Sequence, residues 1–348
     1  MVILNMYGKI SPICVSDKLK IYISNLPHQP ENNWNQALVE DMLQEIKEHT
    51  IFIEKYGDSL APYDLKKICI KTFGLKNLSE DLSEIEYLQI IAENLICIYF
   101  DYKYEDMPFF DWTTNCFDGR LCEEDYTEKF MEFLHFIIWK SEKLKLGQFS
   151  HFPSYIYTTN HDREYSFLLG ALNEKVNCKL ETYVKSLQYW GKLIDNFLVT
   201  QNDYLQLDYL INSIHRDNEY NSYHLFKVFS LCETLLVKHS NSGKPIQLDD
   251  KLLRFLSDEY SEENKSEFAQ MVRQMRNKIA HGDFLRLNIL LEEYAQKFMD
   301  GQYNYDYTEY SRLNWIYLHI CCELDDALAR ILFLLFTDRK EFEGIKQK

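Results

Sequence analysis

The sequence has few of the residues that interrupt regular structure, since its 348 residues include only 11 Gly and 7 Pro. That scarcity argues against a loop-rich sandwich or barrel, and the apolar residues recur mostly at three- and four-residue spacing. Long apolar runs are also missing, because even the stretch 329–336 is short and contains Arg330. We therefore expect a mainly α protein with neither a signal peptide nor a membrane anchor.

The sequence also lacks the closely spaced cysteine pairs that are typical of metal sites. The nine cysteines form no Cys-x-x-Cys motif, and the only adjacent pair, Cys321 and Cys322, lies in an apolar helical pattern. This usage is typical of buried free thiols in a reducing compartment, so it predicts a cytoplasmic protein.

The sequence also has fewer basic than acidic residues. The formal net charge is −16, with −10 carried by residues 1–202 and −6 by residues 203–348. A broad basic surface that binds nucleic acid is therefore excluded. One short segment differs, because residues 271–286 contain four basic residues and a single acid, Asp283. Any contact with nucleic acid is expected to be local, at this segment.

The pattern along the chain predicts two domains, 1–202 and 203–348, that meet at the polar run 200–203. The first is expected to be mostly helical and to begin with a short β-hairpin, because residues 19–23 alternate and Ser11-Pro12 favours a turn. The predicted helices of the first domain cover 34–56, 79–100, 123–146 and 163–199, with an irregular connection at 101–125. Those of the second cover 204–215, 219–239, 249–259, 262–281, 287–299 and 309–336.

The helix at 262–281 carries the most informative pattern. On a regular helix Phe268, Met271, Val272 and Ile279 fall within about 60° of Met275, which predicts one buried stripe. Arg276 lies about 100° from Met275 on one side, and His281 about 120° on the other.

The position of His281 bears on its role. A histidine in a helical apolar pattern is usually a satisfied core residue, but its phase here places it off the buried face. Gly282 predicts that the helix ends at this point, next to the negative end of its dipole. Arg276 and His281 are five residues apart, so they flank each other and a compact site would gain from a second copy across a two-fold axis.

The segment Arg276-Asn-Lys-Ile-Ala-His281-Gly282 resembles the Arg-x(4–6)-His signature of the HEPN superfamily, and especially the branch found in prokaryotic antiviral and abortive-infection proteins. The upstream stretch 229–236, with its central Glu233, is similar to the helix that precedes the motif in that branch. Residues 313–336 suit the closing helix of the HEPN bundle. The resemblance covers about 203–340, and residues 1–202 match no family pattern.

The resemblance implies an antiparallel helical bundle that acts as a metal-independent endoribonuclease, without any cofactor. It also implies a homodimer in which two motifs form one site, and a toxin or antiviral-defence effector that responds to an antitoxin or a phage-derived trigger. RNA supplies its own nucleophile, the ribose 2′-OH. His281 is then the general base or acid, and Arg276 stabilises the charge that develops on the phosphate.

Four neighbouring residues have two interpretations each. Asn277 orients the histidine or a phosphate, or it is a solvated polar residue. Glu233 pairs with a motif residue, or it fills a polar gap in the bundle. Lys278 and Arg273 bind flanking RNA phosphates, or they are solvated surface cations.

Two alternatives concern the whole protein. One is a catalytically silent HEPN module that binds RNA, a nucleotide or a protein partner. The other is a phage-side or regulatory protein whose acidic first domain mimics nucleic acid or docks on a basic partner.

Two further motifs are weaker. His161-Asp162 is similar to the metal-binding doublet of phosphohydrolases but has no further ligands at helical spacing. The tyrosines of the stretch 303–310 stack bases, or they pack on the bundle.

Overall fold

The structure, a computed structural model, describes residues 2–25, 34–57, 61–73, 82–100, 127, 129–138, 155–158, 169, 179–214, 220–238, 248–299 and 309–347. The chain divides into two compact units. The first comprises Met1–His135 and Gln148–Asn212, and the second comprises Phe136–Gly147 and Ser213–Lys348. The predicted mainly helical composition is confirmed, together with a small antiparallel sheet near the N-terminus.

Five antiparallel strands form the sheet of the first unit. They are β1 (Val2–Tyr7), β2 (Ile13–Ser16), β3 (Ile21–Asn25), β4 (Leu95–Phe100) and β5 (Tyr155–Thr158), in the order β2-β3-β4-β1-β5. The predicted hairpin across Ser11-Pro12 is wrong, because β1 pairs with β4 and β5 and not with β2. The hairpin is formed one strand later, between β2 and β3.

The predicted helix over 79–100 is only partly correct. Helix α3 (Glu84–Asn94) begins with a capping box between Ser83 and Glu86, as a helix start should. The chain then turns directly into β4, the central strand, whose first four residues are buried. A buried strand has a continuous apolar run, which periodicity alone does not separate from a buried helix. Two β-branched residues and two aromatic residues in β4 were the available signal.

The other helices of the first unit are α1 (Trp34–Tyr56), α2 (Leu65–Phe73), α4 (Leu180–Phe197) and α5 (Gln201–Ser213). The predicted bounds of α1 are confirmed, with Gly57 directly after it. Residues 129–138 are also helical, within the predicted 123–146. The predicted connection 101–125 lies outside the described residues. Apolar side chains of α1, α2 and α3 form a core with β1 and β4.

Helix α4 lies against β2 at Gly191. The helix is continuous through this glycine, whose missing side chain lets α4 approach the β2 backbone closely. A Cβ atom on Gly191 would lie 1.7 Å from the carbonyl oxygen of Val15. Beside it, the Asp195 carboxylate accepts hydrogen bonds from Ser16 Oγ at 2.5 Å and from the Asp17 amide at 2.8 Å.

Of the six helices predicted from residue 204 onward, five are found within about three residues of their predicted bounds. The first is α5 in the first unit, and the other four, in the second unit, are α6 (Ser222–Leu236), α8 (Glu262–Ala280), α9 (Phe284–Phe298) and α10 (Glu309–Thr337). The prediction over 249–259 was too long, because α7 (Asp249–Leu252) continues only as a 3₁₀ turn, Leu253–Phe255. A final helix, α11 (Arg339–Gln347), follows α10.

The helices of the second unit pack around α6, α8 and α10. Helix α6 packs against α8 and α10, and α9 packs against α8 and α10. The predicted stripe of α8 is largely confirmed, since Phe268, Val272 and Met275 are fully buried, whereas Met271 and Ile279 are partly buried. This packing fixes the rotation of α8 and therefore the directions in which its polar residues project. Among the described helices, none has the length and apolar character that crossing a membrane would require.

Candidate functional site

Helix α8 ends in a well-defined C-terminal cap that positions His281. Gly282 has φ +68°, and its amide donates to the carbonyl of Ile279 at 3.1 Å. The amide of Asp283 donates to the carbonyl of Lys278 at 2.9 Å. These two bonds form a Schellman motif, which needs a residue in the left-handed region and therefore favours glycine. His281 is the capping residue itself, and its side chain is exposed to solvent.

An ion pair reinforces this cap. Lys278 Nζ donates to Asp283 Oδ2 at 3.1 Å, and the same carboxylate caps α9 by accepting from the Arg286 amide at 3.4 Å. The hydrogen bond from Lys278 is the main reason why the pKa of Asp283 is below its ordinary value. A Schellman motif usually brings two apolar residues together at these positions. Here an ion pair takes their place and closes the turn that carries His281.

Arg276 lies at the contact between α8 and α6 and not in open solvent. Its Nη2 donates to Glu233 Oε2, its Nη1 donates to Asn277 Oδ1 at 3.2 Å, and its guanidinium carbon lies 5.7 Å from the ring centre of Phe226. The side chain of Arg276 is 26% exposed and that of Glu233 is 34% exposed. The guanidinium is therefore oriented on three sides, with one N–H on each η nitrogen still available.

Two cations that were considered as RNA ligands are also in ion pairs. Arg273 Nε donates to both oxygens of Asp249, at 3.0 and 2.8 Å, in a partly buried contact. Lys278 is held by Asp283, as described above. Both side chains therefore have structural partners.

The order of contacts along α8 indicates that it runs antiparallel to α6. Arg273 is tied to α7, whose Lys251 donates to the carbonyl of Leu236 at the C-terminal end of α6, at 3.0 Å. Arg276, one turn further along α8, reaches Glu233, which is one turn earlier in α6. The first turn of α6 therefore approaches the C-terminal end of α8.

The structure brings three of the six predicted site residues together, and His281 lies apart from them. Glu233 and Asn277 both contact Arg276, which favours the pairing interpretation of Glu233. His281 is about 140° from Arg276 around a regular helix. Within the described part of the chain, no hydrogen bond joins these two side chains. One chain thus presents a held arginine and an exposed histidine separately.

Sequence reasoning missed three contributors to this arrangement. Phe226 lies about two turns before Glu233 on the same face of α6, so helical phase could have found it. Asp249 and Asp283 were not foreseen as partners of Arg273 and Lys278. The Asp249 contact joins residues 24 apart, and no short-range pattern signals it.

The two weaker candidate motifs are not tested by the structure. His161, Asp162 and the tyrosines of 303–307 lie outside the described residues. Within the ranges that are described, no three His, Cys, Asp or Glu side chains are grouped as a metal site would require.

A buried polar pair lies elsewhere in the second unit. His224 Nε2 and Asp325 Oδ1 are 3.0 Å apart, between α6 and α10. Both residues are buried, so the pair links the two helices from inside and has no access to a substrate.

Comparison with known proteins assigns the chain to no family. No protein-family model matches the chain, and neither a curated protein nor a solved structure matches it at a significant level.

Proposed function

We propose that the protein is a metal-independent endoribonuclease of the HEPN type, acting in the cytoplasm as a toxin or antiviral-defence effector. The proposal rests on the resemblance of residues 276–282 to the HEPN signature and on the helical bundle that carries them. In this proposal α6, α8, α9 and α10 form the HEPN-like bundle. An antitoxin or a phage-derived trigger would act through the first unit.

The observation that carries the proposal is the contrast between the two motif residues. His281 is exposed at a rigid helix end, where an imidazole reaches a substrate and exchanges protons with it. Arg276 is held by Glu233, Asn277 and Phe226, and its side chain is 26% exposed. A fixed arginine stabilises a charged transition state better than a mobile one, because it does not have to change its orientation during the reaction.

The chemistry follows from these two groups. His281 accepts the proton of a ribose 2′-OH, the oxygen attacks the adjacent phosphorus, and the bond to the 5′ oxygen breaks. The leaving oxygen takes a proton from a second acid, and the products are a 2′,3′-cyclic phosphate and a 5′-OH. Because one chain supplies a single motif histidine, His281 of a second copy is the proposed acid. Arg276 binds the phosphate oxygens through its remaining N–H groups.

A second function is favoured by a different observation. Arg276, Arg273 and Lys278 each have a carboxylate partner, so the positive charge of segment 271–286 is largely compensated. Such compensation suits a catalytically silent HEPN module that binds RNA, a nucleotide or a protein through another surface. The two functions differ in one measurable property, which is RNA cleavage that depends on His281.

The test uses the full-length protein and a mixed-sequence single-stranded RNA, with and without EDTA. We expect cleavage that EDTA does not inhibit and that is lost in His281→Ala and in Arg276→Ala. The matched controls are His49→Ala and Arg254→Ala, which replace a half-buried histidine and an exposed arginine outside the motif and should cleave normally. Unchanged cleavage by His281→Ala would contradict the nuclease proposal, and intact RNA with every variant would support the silent module.

A further inference from the structure

An exposed aromatic ring lies on the face of α6 that leads to Arg276. Tyr223 is 63% exposed. On a regular helix Tyr223, Phe226 and Glu233 fall within about 80° of one another. Phe226 and Glu233 of α6 contact Arg276, and Tyr223 lies on the same face, one turn before Phe226 and about three turns before Glu233.

The same ring is at the end of the bundle where the motif histidine lies. Helices α6 and α8 run antiparallel, so the first turn of α6 approaches the C-terminal end of α8, where His281 caps the helix. Tyr223 thus lies toward the end of the α6–α8 pair at which His281 caps α8, and it precedes by one turn the Phe226 ring that contacts Arg276. An aromatic ring therefore lies on the α6 face that leads to the arginine and toward the helix end that carries the histidine.

The backbone beneath Tyr223 is fixed. Asn221 Oδ1 accepts hydrogen bonds from the amide of Tyr223 at 2.9 Å and from the amide of His224 at 3.1 Å, which caps the first turn of α6. A tyrosine has only two rotatable side-chain bonds, so ordering its ring against a ligand costs little entropy. Tyr223 is therefore suited to receive a flat ligand.

We propose that Tyr223 is a stacking platform for a base of single-stranded RNA, next to the phosphate that Arg276 holds. This inference rests on the proposed function and adds a base-contacting residue to it. Bases that are free of a duplex stack on exposed aromatic rings, whereas paired bases are hidden. Every base has a π-face, so this subsite selects single-stranded RNA and shows little preference for one base.

The experiment measures binding without cleavage. A fluorescein-labelled single-stranded oligonucleotide with 2′-O-methyl groups lacks the 2′-OH nucleophile, and its affinity is followed by fluorescence anisotropy. We expect Tyr223→Ala to raise Kd by about tenfold and Tyr223→Phe to leave it unchanged, because stacking needs the ring and not the hydroxyl. Tyr209→Ala, at a tyrosine that is 47% exposed in the first unit, is the matched control and should bind normally.

A duplex of the same sequence provides the second readout. Its bases are already stacked, so any binding to it should be equal for the wild type and Tyr223→Ala. An equal loss with single-stranded and duplex RNA would overturn the platform, because Tyr223 would then support the fold. Unchanged Kd for Tyr223→Ala, or no binding by the wild type, would overturn it as well.

The results separate this inference from the nuclease proposal. Binding that depends on Tyr223, without cleavage of ordinary RNA, would keep the platform and reject the nuclease. Cleavage that depends on His281 but not on Tyr223 would keep the nuclease and reject the platform.

Discussion

The guanidinium of Arg276 donates a hydrogen bond to the carboxylate of Glu233, and this contact joins the motif helix α8 to its neighbour α6. The two residues are 43 positions apart in the sequence. Their pairing orients the arginine and also compensates its charge. A phosphate that binds Arg276 therefore has to use the donors that Glu233 and Asn277 leave available.

The strength of this pair is our first prediction. Glu233→Ala and Arg276→Ala should each lower the free energy of unfolding by about 1–2 kcal/mol, because each leaves a partly buried partner without its hydrogen bond. In a double-mutant cycle the coupling energy should be about 1 kcal/mol, a modest value because both side chains are partly exposed. Urea unfolding followed by circular dichroism measures all four proteins.

A purely additive cycle would show that the ion pair does not contribute to stability. Glu233→Gln is the control for charge, since it keeps an acceptor for Arg276 at nearly the same size. We expect it to retain most of the stability that Glu233→Ala loses, and a loss equal to that of Glu233→Ala would contradict this account.

Sequence patterns predicted what depends on local periodicity. The stripe that ends at Met275 and the cap at Gly282 are both local features of α8, and both are found. The N-cap of α8 is local as well, because the Ser261 side chain accepts from the Asn264 amide at 3.2 Å. Local signals thus gave the orientation of the motif helix correctly.

The remaining features depend on contacts between distant segments. The pairing of β1 with β4 joins Val2 to Ile98, and no turn pattern near β1 reveals it. The pairing of Arg273 with Asp249 likewise depends on where α7 lies after folding. The segment 271–286 is rich in basic residues in the sequence, but in the fold two of its cations pair with the distant acids Asp249 and Glu233, and Lys278 pairs with Asp283 of the segment itself.

The close approach of α4 to β2 gives the second prediction. Gly191→Ala should destabilise the first unit by about 3 kcal/mol or more, because the new Cβ would meet the backbone of Val15 and a backbone atom yields little. Thermal unfolding monitored by circular dichroism is the measurement. A variant as stable as the wild type would show that α4 does not lie so close to β2.

The left-handed residue beside His281 gives the third prediction. Gly282→Ala should cost about 1 kcal/mol, because φ +68° is unfavourable for any residue with a Cβ even where the space is open. Gly344→Ala is the matched control, since that glycine is inside α11 and a Cβ there meets nothing within 4 Å.

We expect the control to be neutral or stabilising, because alanine favours helix interiors. In the nuclease proposal Gly282→Ala should also reduce cleavage, since the cap positions His281. Urea midpoints and initial cleavage rates test the two effects separately. Equal destabilisation by both substitutions would contradict the role of Gly282 in the cap.

The turn between α8 and α9 gives the last prediction, which concerns pH. The pKa of Asp283 is lowered in the fold, chiefly by the hydrogen bond from Lys278, so the fold favours the ionised carboxylate. This contribution to stability is complete above the unfolded pKa, about 3.9, and is lost as the pH falls through the lower folded value. The decrease in urea midpoint between pH 6 and pH 3 should therefore be smaller in Asp283→Asn than in the wild type. Lys278→Met should reduce it as well, because it removes the group that lowers the pKa. An unchanged pH dependence in both variants would show that this ion pair does not stabilise the turn that carries His281.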